Sequence, residues 1–274
     1  MCANVNSAEQ DSLWSGGKVS EYAYCIKANN PTPMTYVGTN TWLLFEPETR
    51  AAYVVDPGPL MEDHLAAIES FIEAQKLSVE AILLTHMHLD HSEAAQELAQ
   101  HLGVEVYSRE AGTLDDGELV IGDGPQLVVV SLPGHSSDSV GFCFPADESI
   151  ISGDVVFLQS PTAIVSPDGS LKDYFETLNK LKLLVEQEGY KRFLTAHGWF
   201  IEDPLAVIGN TEAHRLSRLA SVRGAITRKE EVDIDYILES VYDDIDTRLD
   251  PAARMNVIAQ VDYLKAINDP CIPR

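Results

Sequence analysis

The segment Thr85-His86-Met87-His88-Leu89-Asp90-His91 constrains this chain more than any other. It follows Ala81 to Leu84, an apolar run that reads as a buried strand. Three histidines and an aspartate directly after such a strand have almost no packing rationale. In extended backbone, residues two apart point to the same side, so His86 and His88 can reach one cation. Asp90 and His91 follow where the chain turns into a helix and can serve a second position close by. The segment therefore reads as a metal-binding motif, by the spacing logic that makes HExxH informative.

Three later pieces have the same character. His135 sits in Pro133-Gly134-His135-Ser136, Asp154 in Ser152-Gly153-Asp154 and His197 in Thr195-Ala196-His197-Gly198, each just after an expected strand. Loops at strand ends are where rigid scaffolds carry chemistry. Any one of these pieces alone is a loop more often than a ligand. Together they offer imidazole and carboxylate donors without cysteine, a set that suits zinc, manganese or iron. Asp90 has an additional reading as a helix N-cap, with Glu93 completing a capping box. His64 and His101 fall on expected helices and read as surface or interface residues. His214, beside Arg215, reads as either structural or substrate-contacting.

The spacing predicts strands over residues 21–27, 41–45, 51–55, 81–84, 104–107, 119–121, 127–132, 140–144, 150–152 and 193–195. Helices are expected over 60–77, 92–102 and 171–188. Strands and helices interleave, with hairpin-like strand pairs, which points to an α/β (α+β) fold of mixed sheet with helices outside. From about Pro204 only helices are expected. One covers 205–225, a second runs from Thr227 to Asp243 with Thr227-Arg228-Lys229-Glu230 as its capping box, and Asp250-Pro251 opens a third. Residues 1–204 are expected to form the main domain and residues 205–274 a small helical appendage.

The 274 residues are 45% apolar, enough for a substantial core. No apolar run approaches the ~20 residues that span a bilayer. Residues 1–17 lack the basic start and apolar centre of a signal peptide. Cys2, Cys25, Cys143 and Cys271 are far apart and read as free thiols of a cytoplasmic protein. The net charge is −24, from 43 acidic and 19 basic residues. Solubility is its plain meaning, and it repels long polyanions. Arg215, Arg218, Arg223, Arg228 and Lys229 form one basic cluster, which at that spacing is more often a solvated helix face than a binding patch.

The ordered motifs Thr39-Asn40-Thr41, Asp56-Pro57-Gly58, His86-x-His88-x-Asp90-His91, Pro133-Gly134-His135, Gly153-Asp154 and Ala196-His197-Gly198 resemble the metallo-beta-lactamase superfamily. The resemblance covers roughly residues 39–198. It implies a four-layer αββα sandwich with a two-metal site at one sheet edge. His86, His88 and His135 would hold the first metal, Asp90, His91 and His197 the second, and Asp154 would bridge them. Asp56 would fix the loop that carries the histidines. Within the superfamily the chain resembles the lactamase-beta-like endoribonuclease and glyoxalase II-like branch. That likeness rests on residues 30–41 and on His214, Arg215 and Arg218 in a long helix, and it implies a winged-helix-like C-terminal part. Thr195-Ala196-His197-Gly198-Trp199 departs from the Pro-Gly-His-Gly-Pro of many relatives.

Several functions fit. The first is a metal-dependent hydrolase with two divalent ions, zinc foremost and manganese or iron as alternatives, cleaving a small anionic ester, thioester or lactone. In it a bridging hydroxide is the nucleophile and Asp90 and Asp154 are the catalytic carboxylates. His214, Arg215 and Arg218 are its candidate substrate contacts. The second is a phosphodiesterase or single-strand endoribonuclease, disfavoured by the net charge. The third is a mononuclear-iron sulfur dioxygenase using His86, His88, His135 and Asp154. The fourth is a metal-binding protein without turnover, disfavoured by the intact ligand set. No membrane partner is expected, and a homodimer is left open. Selectivity is expected from loops 34–37, 159–170 and 199–203.

Overall fold

The strand Asn40–Phe45 is buried along its whole length. Its alternate side chains serve two different interiors, which requires cover on both faces. Leu43 and Phe45 pack with Ile68, Leu98 and Ile82 on one side, while Trp42 and Leu44 pack with Phe142, Leu127 and Ile151 on the other. A third cluster joins Leu132, Ile150 and Phe193 to Tyr174, Leu178, Leu219 and Val257. Three apolar interfaces separate four layers, so the architecture is helix, sheet, sheet, helix. The computed structural model describes residues 13–159, 161–242 and 250–273.

The first sheet comprises β1 (Gly17–Lys18), β2 (Ala23–Lys27), β3 (Asn40–Phe45), β4 (Ala51–Val55), β5 (Ser78–Leu83) and β6 (Glu105–Tyr107), in that spatial order. Pairing is antiparallel from β1 to β4 and parallel from β4 to β6. Helices α1 (Glu62–Gln75), α2 (Leu89–Ser92) and α3 (Ala95–Leu102) lie between these strands in sequence. The second sheet has the order β11 (Arg192–Thr195), β10 (Ser149–Gly153), β9 (Val140–Phe144), β8 (Leu127–Ser131), β7 (Gly117–Leu119). Only β10 and β11 pair in parallel. Helix α4 (Leu171–Leu183) precedes β11, and α5 (Pro204–Lys229), α6 (Ile234–Val241) and α7 (Asp250–Ala266) follow it.

The expected strands occur within a few residues of their predicted bounds. The C-terminal helices differ more. Helix α5 runs through Thr227, whose hydroxyl donates back to Arg223 O at 2.9 Å, so Thr227 caps nothing. The helix ends instead at Glu230, with φ 59°. Asp233 caps the next helix by accepting from the Tyr236 N–H at 3.1 Å. Asp243, the expected end of that helix, lies outside the described residues, as do Cys2 and most of residues 1–17. Asp250 is the first described residue of α7, with Pro251 in its first turn. After β11 the described residues contain three helices and no strand, so no wing occurs among them. Cys25 and Cys143 are buried free thiols. No helix among the described residues is long and apolar enough to cross a membrane.

His64, expected at the surface or an interface, is 4% exposed. The Thr41 hydroxyl donates to Asp56 O at 2.8 Å and so accepts from His64 Nε2, also at 2.8 Å. Helical spacing placed His64 on α1 correctly, but the side of the helix facing the Asp56 turn is set by tertiary contacts. Burial pushes its pKa down to about 4. The unfolded chain, with an ordinary histidine pKa near 6.5, takes up this proton first. The resulting stability is therefore full above pH 6.5 and lost as pH falls toward 4, by roughly 3 kcal/mol. Urea unfolding of metal-free wild type and His64→Gln should show a steeper acid loss in the wild type. Parallel pH dependences would refute this.

Candidate metal centre

All the donors stand at C-terminal strand ends along one edge of the sandwich. The stretch after β5 carries His86, His88, Asp90 and His91, and the loops after β8, β10 and β11 carry His135, Asp154 and His197. The loops are tied to one another by main-chain bonds. Val140 N donates to Thr85 O at 2.8 Å, Gly58 N to His91 O at 3.1 Å and Ala196 N to Gly153 O at 3.2 Å. Asn40 donates from Nδ2 to both Thr195 O and Gly198 O, at 2.9 and 2.8 Å, and so links the first sheet to the His197 loop. Gly134 has φ +137°, and a Cβ there would stand 2.5 Å from Tyr174 Cα. Only glycine lets the chain pass α4 and present His135.

The cluster divides into two groups that share an edge. His86 Nε2 and His135 Nε2 lie 3.1 and 3.0 Å from His88 Nδ1. His197 Nε2 and His91 Nε2 lie 3.3 and 3.6 Å from Asp90 Oδ2. Asp154 stands between them. Its Oδ1 is 3.3 Å from His91 Nε2 and 3.5 Å from His197 Nε2, while its Oδ2 is 3.5 Å from His135 Nε2. Donor atoms of His86, His88 and His135, and of Asp90, His91 and His197, fall within 4.8 Å of one another. His91 Nε2 and Asp154 Oδ1 are buried, close, and without hydrogen-bond partners among the described residues. Buried polar atoms are rarely left so. Convergent, unsatisfied nitrogen and oxygen donors without cysteine fit a borderline divalent cation.

The opposite ring nitrogens of His91, His197 and His135 are occupied, which orients these imidazoles. His91 Nδ1 donates to Asp56 Oδ2 at 2.9 Å, His197 Nδ1 to Gly38 O at 3.2 Å, and His135 Nδ1 to Ala163 O at 2.7 Å. Asp56, at φ 50°, also accepts from Thr85 N at 2.8 Å and from its hydroxyl at 2.6 Å. Asp56→Ala strands three buried donors, each costing about 1–3 kcal/mol. Its metal affinity should fall about 10–100-fold in competition with a chromophoric chelator. Unchanged affinity would show that Asp56 does not hold the loop.

Electrostatics separate the two groups. Burial opposes a charge on His91 and His197, yet the Asp154 carboxylate outweighs it. His91 is held well above the ordinary histidine range and His197 at about 9. Burial likewise opposes ionisation of Asp154, but His197 and His91 hold its carboxyl well below the usual range. Burial and the His91 charge push His86 far down, and burial lowers His135. Asp90 does not cap a helix. It lies inside α2, where His88 takes the capping position without a side-chain bond. The Glu93 carboxylate instead accepts from Leu60 N at 3.0 Å, because the Asp56 turn packs against this helix start.

A cavity of about 330 Å³ opens over the cluster, with His88, Asp90, His135, Asp154 and His197 in one wall. His214, Arg215 and Arg218 stand in its helical wall, so part of the basic cluster does face the site. Arg223 and Lys229 do not, pairing with Asp269 and Asp233. Of the expected selectivity loops, Met34, Tyr36, Pro161, Thr162, Ala163 and Val165 contribute to the lining. Residues 199–203 do not, because Trp199 packs 4.8 Å from Trp14 and Ile201 pairs with Phe193. The sequence reading missed Phe157, Tyr242 and Asn256. Phe157, three residues after Asp154, was the one within reach of a motif.

The model for the metallo-beta-lactamase superfamily matches residues 34–114. The beta-lactamase-like protein 2 homolog of Caenorhabditis elegans is 26% identical over 254 residues, covering 88% of this chain and 83% of that one. This chain spans only 62% of the lactamase-like protein nscB of Neosartorya fischeri, which it matches at 29% identity over 213 residues. Among solved structures, a beta-lactamase domain protein from Burkholderia ambifaria superposes with a TM-score of 0.76 at 20% identity, over 97% of this chain and 91% of that one. The chain belongs to the metallo-beta-lactamase superfamily. It is a metal-dependent hydrolase of that fold, with the His/Asp cluster as its candidate metal-binding centre.

Proposed function

We propose that this protein uses two divalent cations, foremost zinc, to hydrolyse a small ester, thioester or lactone that carries an anionic group. The observation that carries this reading is the placement of Asp154, with one carboxylate oxygen toward each histidine group. His86, His88 and His135 would hold one ion, Asp90, His91 and His197 the other, and Asp154 both. When bound, such ions polarise a carbonyl oxygen and bring the pKa of water toward neutrality.

The protein's own groups supply the rest. Asp90 is 30% exposed at the cavity wall, and its carboxylate is held in the ionised form against burial by the hydrogen bond from His197. It is placed to accept a hydrogen bond from an attacking water and orient it. Tyr36 and Phe157, whose rings stand 5.6 Å apart, cover the His197 side with apolar surface. Across the cavity, Arg215 and Arg218 present positive charge against a chain of net charge −24. That contrast favours an anionic substrate end, and a cavity of about 330 Å³ suits a small molecule.

Metal-loaded protein should hydrolyse anionic thioesters or lactones and leave single-stranded RNA uncut. Cleavage of RNA with thioesters and lactones untouched would replace this reading with the endoribonuclease. One iron per chain would sink the dinuclear assignment.

A further inference from the structure

Residues 161–165 contain no donor of the cluster, yet they hold His135 in place. His135 Nδ1 faces Ala163 O at 2.7 Å and Thr162 Oγ1 at 3.0 Å. With its Nδ1 proton committed here, His135 turns Nε2 toward His88 and Asp154. This segment is in turn gripped from the helical C-terminal part. Ile164 N donates to Asn256 Oδ1 at 3.0 Å, and Arg215 donates from Nη2 to Thr162 O. The two gripping residues also meet, Arg215 Nη1 donating to Asn256 Oδ1 at 3.3 Å. Asn256 Nδ2 donates to Ala252 O at 3.0 Å, which fixes its amide with the oxygen toward the segment. Arg215 is 8% exposed, and its guanidinium lies 5.2 Å from the centre of the Tyr174 ring. Among the described residues no carboxylate pairs with it, so carbonyl and amide oxygens are its partners.

We infer that Arg215 and Asn256 are positioning residues for His135, so that α5 and α7 complete the first histidine group from outside the β-sandwich. The inference rests on reading that group as a metal site. Orienting contacts of this kind, acting on a ligand's far nitrogen, are worth about 10–100-fold in metal affinity.

The test is a zinc titration of metal-free protein against a chromophoric chelator, resolving the two equivalents. Asn256→Ala should weaken one equivalent about 10–100-fold and leave the other within about threefold. Asn256→Asp keeps an oxygen for both Ile164 N and Arg215, and should restore the wild-type value. Arg223→Ala, which breaks the 2.8 Å pair with Asp269 away from the cavity, should leave both equivalents unchanged while lowering the melting temperature. If Asn256→Ala does not fold, Arg215→Lys carries the same expectation, because an ammonium lacks the fork that spans Thr162 O and Asn256 Oδ1. Wild-type affinities in the folded variant, or equal weakening in Arg223→Ala, would overturn the inference. His135→Ala separates the two levels. If it keeps both equivalents, the metal reading itself fails. If it loses one while Asn256→Ala loses none, only the positioning role fails.

Discussion

Asp154→Ala should lower kcat/KM by at least about a thousandfold, equivalent to some 4 kcal/mol of transition-state stabilisation. The reason is its position. Its two oxygens address opposite halves of the cluster, so one substitution affects both histidine groups. It also leaves the buried His91, among the described residues, with Asp56 and the half-buried Asp90 as its remaining carboxylate neighbours. Metal content measured beside the kinetics distinguishes the causes. Loss of rate together with loss of at least one equivalent of metal is the expected result. Near-native turnover in this variant would refute the site assignment.

Removal of metal should cost the fold about 4 kcal/mol, the linkage value for a ligand held at a thousand times its dissociation constant. For a domain of this size that is a fall of about 10 °C in melting temperature. Chelator-treated protein should melt lower, and added zinc should restore it. The recovery should weaken as pH falls. His91 and His197 both have raised pKa values before metal binds, His197 to about 9, so each must release a proton to become a ligand. A melting temperature indifferent to chelator and to zinc would mean that the cluster does not bind metal in solution.

Much of the site was legible because its donors follow apolar strands. A strand end fixes where a side chain emerges, and for His86 and His88 period-two geometry fixes on which side, so these two and His135, Asp154 and His197 stand out in local sequence as candidates, which the fold brings together. Asp56 was legible through its motif. The misreadings arose where local pattern and tertiary contact compete. Thr227 had the spacing of a capping box, but continued packing of Val222, Ala225 and Ile226 in the core carries the helix past it. His64 had helical spacing and a polar side chain, but the Thr41 hydroxyl gave it a buried partner. Asn256 had no legible role at all, because its partners Ile164 and Arg215 are 92 and 41 positions away and only the fold brings them together.

The Asn40 bonds to Thr195 and Gly198, with the Val140 N bond to Thr85 O and the His197 bond to Gly38 O, tie the two sheets directly at the edge where the donors stand. Four of the donors come from the stretch after β5 in the first sheet, and three from loops of the second. The superfamily match at residues 34–114 includes only the first four. A bound ion at this edge would thus behave as a reversible cross-link, joining His88 to His135 across 47 positions or His91 to His197 across 106, and withdrawing entropy from the unfolded chain. In those terms Asp154 belongs to the mechanical integrity of the sandwich as much as to its chemistry. Limited proteolysis of metal-free protein should accordingly begin where the sheets part, at this edge, and not at the opposite end.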